Sequence, residues 1–261
     1  MLKNKKVIAS AAFVLALGAG QTYATPVAME LVLLVDVSSS VNSSEYNLQK
    51  TGYVNAFQNA SIQSAIAGLT GGIAVTYVEW SSSNQQSQRV GWTLIDDAAS
   101  SNAFAAAISN ITTRAFSGNT APGSAINWAT SEFTSDNGFE GDRWVIDVSG
   151  DGTQNNGANT ADARNNFLAA AATAGATGTV NGISIGATSV GTWYSNNIKG
   201  GENAFSMHVS TFEAFSDAIT LKLYSEITGT DPTSVPEPAS LLLMSLGLAG
   251  MVATRRRFWA V

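Results

Sequence analysis

Asp36-Val37-Ser38-Ser39-Ser40 places a carboxylate and two hydroxyls at alternate positions directly after the apolar run Leu31-Val32-Leu33-Leu34-Val35. Such a run reads as a strand buried on both faces, so Asp36, Ser38 and Ser40 leave its carboxyl end together. In open α/β sheets, ligands sit in the crevice outside the carboxyl ends of the strands. One carboxylate and two hydroxyls there suit a hard divalent cation, which takes oxygen ligands; Mg²⁺ also keeps several of its waters. Two distant segments add oxygens. Gly118-Asn119-Thr120-Ala121-Pro122 sets the Thr120 hydroxyl just before a helix, where it caps the N-terminus or ligates a cation. Asp147-Val148-Ser149-Gly150-Asp151-Gly152 sets Asp151 just past a second apolar strand. Each Ser or Thr taken singly reads as a cap or turn former. As a set, Asp36, Ser38, Ser40, Thr120 and Asp151 point to a site for Mg²⁺, with Mn²⁺ or Ca²⁺ as ions the same oxygens accept.

Positioning those loops is the work of alternating strands and helices. Glu30 to Val37 reads as the first strand. Asn42 caps the next helix, with Glu45 reciprocal in a capping box and Tyr46, Val54 and Phe57 near one face. Ile73 to Trp80 and Arg89 to Ile95 read as strands, followed by a helix around Ala103 to Ile108 and another from Pro122 to about Phe133. Trp144 to Ser149 is a strand, Thr160 to Ala174 a helix, Val180 to Gly186 a strand, Phe205 to Val209 a short strand and Thr211 to Ile227 the last helix. This alternation predicts an α/β fold, Rossmann-like and doubly wound, with a mostly parallel central sheet covered by helices on both faces.

The order and character of the three loops resemble the metal-ion-dependent adhesion site of von Willebrand factor type A (VWA) domains, over roughly residues 30 to 228. Val78-Glu79-Trp80 paired with Val148-Ser149-Gly150-Asp151-Gly152 is similar to a group of exported bacterial VWA proteins. The resemblance implies that Ser38 and Ser40 ligate directly, that Thr120 does so in one state and through water in another, and that Asp36 and Asp151 act directly or through water. It also implies that a partner's carboxylate completes the coordination, making the ion the binding contact.

Both ends read as export signals. Lys3, Lys5 and Lys6 precede the apolar stretch Val7 to Gly20, and Thr22-Tyr23-Ala24 ends in a small residue: a secretory signal peptide over 1–24, cut after Ala24. A domain over 25–228 and a linker over 229–234 follow. In 235–261, Val235-Pro236-Glu237-Pro238 leads to sixteen apolar residues, 239–254, and then Arg255-Arg256-Arg257. The apolar run is slightly short of the roughly 20 residues that span a bilayer, and the arginines would keep its end cytoplasmic. This arrangement resembles the PEP-CTERM sorting signal of Gram-negative bacteria. The resemblance implies a transient inner-membrane helix, processing by an exosortase, and delivery to the cell surface or extracellular matrix.

Composition narrows the partners. Charged residues are 12% of the chain, about half the usual share. Of 13 Lys+Arg, three at each end leave 7 in the body, against 18 acidic residues once Glu237 is set aside, a balance of −11. That excludes nucleic acid and anionic membrane surfaces as natural partners. With no cysteine and one histidine, disulfides, thiolate sites and multi-His zinc sites are out.

Competing signals are weaker. Asp147 reads as a structural carboxylate paired with Arg143 or Arg164. Gly182-Ile183-Ser184-Ile185-Gly186 matches the nucleophile-elbow pattern, and Glu202 and His208 follow in a formally permitted order. Yet Ser184 lies inside an alternating strand, and a Gly/Ala/Thr/Ser stretch rather than a helix is expected next. His208 reads as packed or at the surface. Asp136, Glu140 and Asp142 fit no EF-hand spacing and read as a solvated turn. Trp80, Trp92, Trp128, Trp144 and Trp193 read as packing residues, with Trp193-Tyr194 in a loop as the pair to watch for exposed ligand contact. The expected function is metal-bridged binding to a protein or acidic polysaccharide, without catalysis. The alternatives are an extracellular hydrolase, through Ser184 or metal-assisted, and a matrix protein whose metal only stabilises the fold.

Overall fold

The computed structural model describes residues 24–232; the signal peptide and the sorting tail lie outside the described residues. The elements run β1 (Thr25–Val27), β2 (Met29–Asp36), α1 (Ser43–Gln58), α2 (Ala60–Ala67), β3 (Ile73–Trp80), β4 (Gln86–Ile95), α3 (Ala98–Ser109) and α4 (Pro122–Thr134). There follow β5 (Phe139–Gly141), β6 (Arg143–Gly150), α5 (Thr160–Ala174), β7 (Thr177–Ile185), α6 (Thr188–Asn197), β8 (Gly200–Gly201), β9 (Ser206–Val209) and α7 (Phe215–Thr228).

The main sheet has the order β4-β3-β2-β6-β7-β8, with β9 also pairing with β7. β3, β2, β6, β7 and β9 are parallel; β4 and β8 close the edges antiparallel. The apolar run of β2 explains its central place. Leu31, Leu33 and Val35 enter one core with α1, α2, α3 and α7, while Val32 and Leu34 enter another with α4, α5 and α6. A strand buried on both faces needs apolar residues at every position, and all eight residues of β2 are buried. β2 has β3 on one side and β6 on the other, so the chain's direction across the sheet reverses at β2. This is the topological switch point where α/β sheets bind ligands.

The capping box forms as the sequence predicts. Asn42 Oδ1 accepts from the backbone of Ser44 and Glu45 at 2.8 and 3.1 Å, and Glu45 Oε2 accepts from Asn42 N at 2.8 Å. The buried stripe of α1 is Tyr46, Gln49, Tyr53, Ala56 and Phe57, rotated from the expected face so that Val54 is only partly buried.

Five elements have no counterpart in the sequence reading: β1 and β5, which pair in parallel, α2, β8 and α6. α6 matters most. Thr188-Ser189-Val190-Gly191-Thr192-Trp193-Tyr194-Ser195-Asn196-Asn197 is poor in helix formers, but Val190, Gly191 and Tyr194 are buried, and tertiary packing overrides weak propensity. The Trp193-Tyr194 pair therefore sits on a helix, not in a loop. Tyr194 is fully buried and Trp193 packs partly against the core, which corrects the expectation of an exposed pair.

Asp147 is fully buried, and its partner is neither arginine proposed from the sequence. Lys222 Nζ of α7 lies 2.7 Å from its Oδ1. Arg143 instead donates to the carbonyls of Glu226 and Ile227, holding the last turn of α7, and Arg164 donates to the carbonyls of Asn196, Asn197 and Lys199. Lys222 also pairs with Glu226, whose Oε1 accepts from Asn181 Nδ2 at 3.0 Å. Two buried carboxylates thus share one ammonium. Burial, then the charge of Asp147, pushes the Glu226 carboxyl up to about 7. Among the described residues, no helix is long and apolar enough to cross a membrane.

Candidate metal centre

β2 and β6 are neighbours, with Val35 opposite Ser149, so the loops that follow them emerge side by side. Ser40 Oγ donates to Asp151 Oδ1 at 2.7 Å. Ser38 Oγ is 3.1 Å from Ser40 Oγ, and Thr120 Oγ1 donates to Ser38 Oγ at 3.4 Å. Asp36 Oδ1 accepts from Ser38 N at 2.7 Å, while Asp36 Oδ2 is buried without a partner. All five sequence-selected side chains thus meet at the switch point: Asp36, Ser38 and Thr120 buried, Asp151 partly buried and Ser40 exposed.

The donor set fits a hard dication. Metal–oxygen bonds of 2.0–2.1 Å in an octahedron place adjacent ligand oxygens about 3 Å apart, and the three spacings above are 2.7, 3.1 and 3.4 Å. Hydroxyls outnumber carboxylates three to two, and among the described residues no three His, Cys, Asp or Glu side chains gather. The electrostatics agree. Burial, followed by the nearby charge of Asp151, raises Asp36 to about 7 against the pull of Ser38 N. Burial raises Asp151 as well, with Ser40 opposing. Positive charge at this spot would relieve both carboxylates.

Backbone contacts lock the loops. Ser39 N donates to Gly118 O at 2.9 Å, joining the first loop to the second. Asn155 Oδ1 accepts from Thr120 N at 2.8 Å, and Asn155 N donates back to Thr120 O at 3.0 Å, joining the second to the third. Gln49 Nε2 donates to Asp36 O at 3.1 Å. Glu79, buried in β3, accepts from Tyr46 Oη at 2.7 Å and Ala115 N at 2.6 Å and pairs with Arg89, which donates on to Thr113 O. Asn155 and Glu79 were not singled out as site residues from the sequence. Beyond its place in the Val78-Glu79-Trp80 motif, the signal for Glu79 is a lone carboxylate inside an apolar strand, which must find partners when buried.

Gly150, the last residue of β6, has a steric reason. A Cβ there would lie 2.6 Å from Tyr194 Oη and 2.7 Å from Asp36 Oδ2.

Ser184 Oγ and His208 Nδ1 are 3.0 Å apart. A helix, α6, does follow β7, contrary to the sequence expectation, so that objection to a nucleophile elbow falls. Ser184 is nonetheless fully buried inside β7 and its hydroxyl also donates to Met207 O at 3.2 Å. Among the described residues no carboxylate is hydrogen-bonded to His208. Asp136, Glu140 and Asp142 surround β5, beside the start of β2 and away from this edge.

A family model described as "Protein of unknown function (DUF1194)" matches residues 26–231. The chain belongs to this family. This DUF1194 chain has a VWA-like fold, which solved structures similar to it share. They include proximal thread matrix protein 1 from the mussel byssus, at TM-score 0.57 and 18% identity over 77% of this chain and 48% of that one. A von Willebrand factor type A structure from Catenulispora acidiphila has TM-score 0.51 and 12% identity, covering 77% and 43%. The PilB minor pilin from Streptococcus sanguinis has TM-score 0.51 and 13% identity, covering 80% and 64%. The DUF1194 chain thus spans about half of the first two and under two thirds of the third. A PEP-CTERM protein-sorting motif matches residues 234–257, marking an exported protein with a C-terminal sorting signal. Comparison with curated proteins gives no match.

Proposed function

We propose that this chain is an exported binding protein that docks a carboxylate of its partner, protein or acidic exopolysaccharide, through a Mg²⁺-type cation held by Asp36, Ser38, Ser40, Thr120 and Asp151. The observation that carries this reading is the meeting of five oxygens from three loops at the switch point, with Asp36 Oδ2 left without a partner. When bound, the ion supplies positive charge to an incoming carboxylate. Protein charge sharpens the point. A body with 7 basic and 18 acidic residues between 25 and 235 repels an acidic partner, so attachment through this edge depends on the cation. Domain boundaries follow as 1–24 signal, 25–228 binding domain, 229–234 linker and 235–261 sorting tail. An exosortase processes the tail after a transient stay in the inner membrane, leaving the domain at the surface or in the matrix. Two proteins of the same fold are a thread matrix protein and a minor pilin, in keeping with that setting.

The test is a pull-down from the organism's own extracellular matrix in Mg²⁺ or EDTA, with wild type and Asp36→Ala. Binding lost in EDTA, restored by Mg²⁺ and absent in a folded Asp36→Ala protein supports the reading; binding retained by that variant defeats it. The Ser184–His208 contact favours a hydrolase as second reading. Ester or peptide turnover that Ser184→Ala removes would establish it. A purely structural cation would instead show a large metal-dependent rise in melting temperature and no ligand.

A further inference from the structure

Two fully buried oxygens beside Gly150 lack hydrogen-bond partners: Asp36 Oδ2 and Tyr194 Oη. A Cβ on Gly150 would lie 2.7 Å from the first and 2.6 Å from the second, so the two are at most 5.3 Å apart (2.7 plus 2.6). One water at hydrogen-bond distance from each bridges oxygens up to roughly 5.6 Å apart. The tyrosine has been given room at both ends. On neighbouring β7, a Cβ at Gly182 would press on the Tyr194 ring at 2.9 Å, and on β6 a Cβ at Gly150 would press on its hydroxyl. A phenylalanine would fill the same space in the apolar core to which Tyr194 belongs. The hydroxyl is the part of Tyr194 that this packing does not require, and it lies beside the head of the ligand set.

We infer that Tyr194 is a positioning residue of the cation site, donating its hydroxyl directly or through one water to Asp36 Oδ2. This rests on the cation reading above. A carboxylate oxygen has two lone-pair sites, so Oδ2 accepts from Tyr194 and still faces the ion or its water. Asp36 is then gripped on both oxygens, by Ser38 N on Oδ1 and by Tyr194 on Oδ2. Outer-shell partners of this kind orient ligands, and their loss typically weakens metal affinity by roughly 10- to 100-fold.

The experiment compares wild type with Tyr194→Phe by Mn²⁺ titration monitored by electron paramagnetic resonance, by melting of the metal-free proteins, and by tyrosine difference absorbance on Mn²⁺ loading. The expected result is a Mn²⁺ affinity about 10- to 100-fold lower in the variant, while the metal-free variant still melts cooperatively, because the ring that fills the core is kept and only the hydrogen bond to Asp36 is lost. The Mn²⁺-induced tyrosine absorbance change of the wild type should be lost. A variant affinity within about twofold of a Mn²⁺-binding wild type overturns the inference and leaves the cation reading standing. A weaker affinity in a variant that keeps the Mn²⁺-induced tyrosine absorbance change also overturns it, since the tyrosine that senses the ion is then not Tyr194. Wild type that takes up no Mn²⁺ removes the cation reading and this inference with it.

Discussion

Ser40 Oγ donates to Asp151 Oδ1 at 2.7 Å, although 111 residues separate them. The pairing of β2 with β6 brings the two loops together, so that on the proposed reading both groups face one cation. The carboxylate is held by a hydroxyl that would itself become a ligand. Saturating Mg²⁺ should therefore stabilise the folded domain without rearranging it. At a hundred times the dissociation constant the gain is about 2.7 kcal/mol. Asp151→Ala should erase the difference between melts in Mg²⁺ and in EDTA; an undiminished difference in that variant would count against Asp151 as a ligand.

Gly150→Ala should cost about 1–3 kcal/mol by overpacking, because its methyl meets Tyr194 Oη and Asp36 Oδ2 at under 3 Å. Tyr194→Phe added to it should recover part of that loss. Urea denaturation of the single and double variants measures both effects, and simple additivity would show that the collision is relieved elsewhere.

Arg89→Ala should destabilise by about 3 kcal/mol, the lower end of the range for breaking a buried ion pair, since the Arg89 side chain is 20% exposed while Glu79 is fully buried. Cation affinity should fall in the same variant, because Glu79 holds Ala115 N in the segment leading to Thr120. Calorimetric titration with Mg²⁺ checks the second part; unchanged affinity would separate this ion pair from the site.

Glu226 gives a pH dependence of definite sign. Its folded carboxyl is raised from 4.5 to about 7, so the folded state holds a proton that the unfolded chain releases. The associated stability is complete below pH 4.5 and is lost as pH rises to about 7. Metal-free melts between pH 4.5 and 8 should show a shallower decline for Glu226→Gln than for wild type. Parallel curves would mean that the proton sits elsewhere.

What could be read in the sequence, and what could not, follows from the range of the forces involved. The β2 run, the Asn42–Glu45 box and the alternation of elements are local or periodic, and the fold class followed from them. Asp36, Ser38, Ser40, Thr120 and Asp151 each sit at the end of an element, and parallel strands carry such ends to one edge of a sheet. Lys222 beside Asp147 depends on how the last helix lies across the sheet, which no local pattern encodes. α6 was hidden because its Gly, Ser, Thr and Asn content speaks for a loop, while Val190 and Tyr194, four apart, were its only helical signal.

The grip of Arg143 on the carbonyls of Glu226 and Ile227 has a consequence for how the protein stands on whatever holds it. Arg143 opens β6 and Gly150 closes it, so the exit of the chain toward its sorting tail and the cation edge lie about 23 Å apart along the strand, at opposite poles. If the domain is held through its C-terminal end, as proposed, its oxygen-lined pole faces away from the point of attachment.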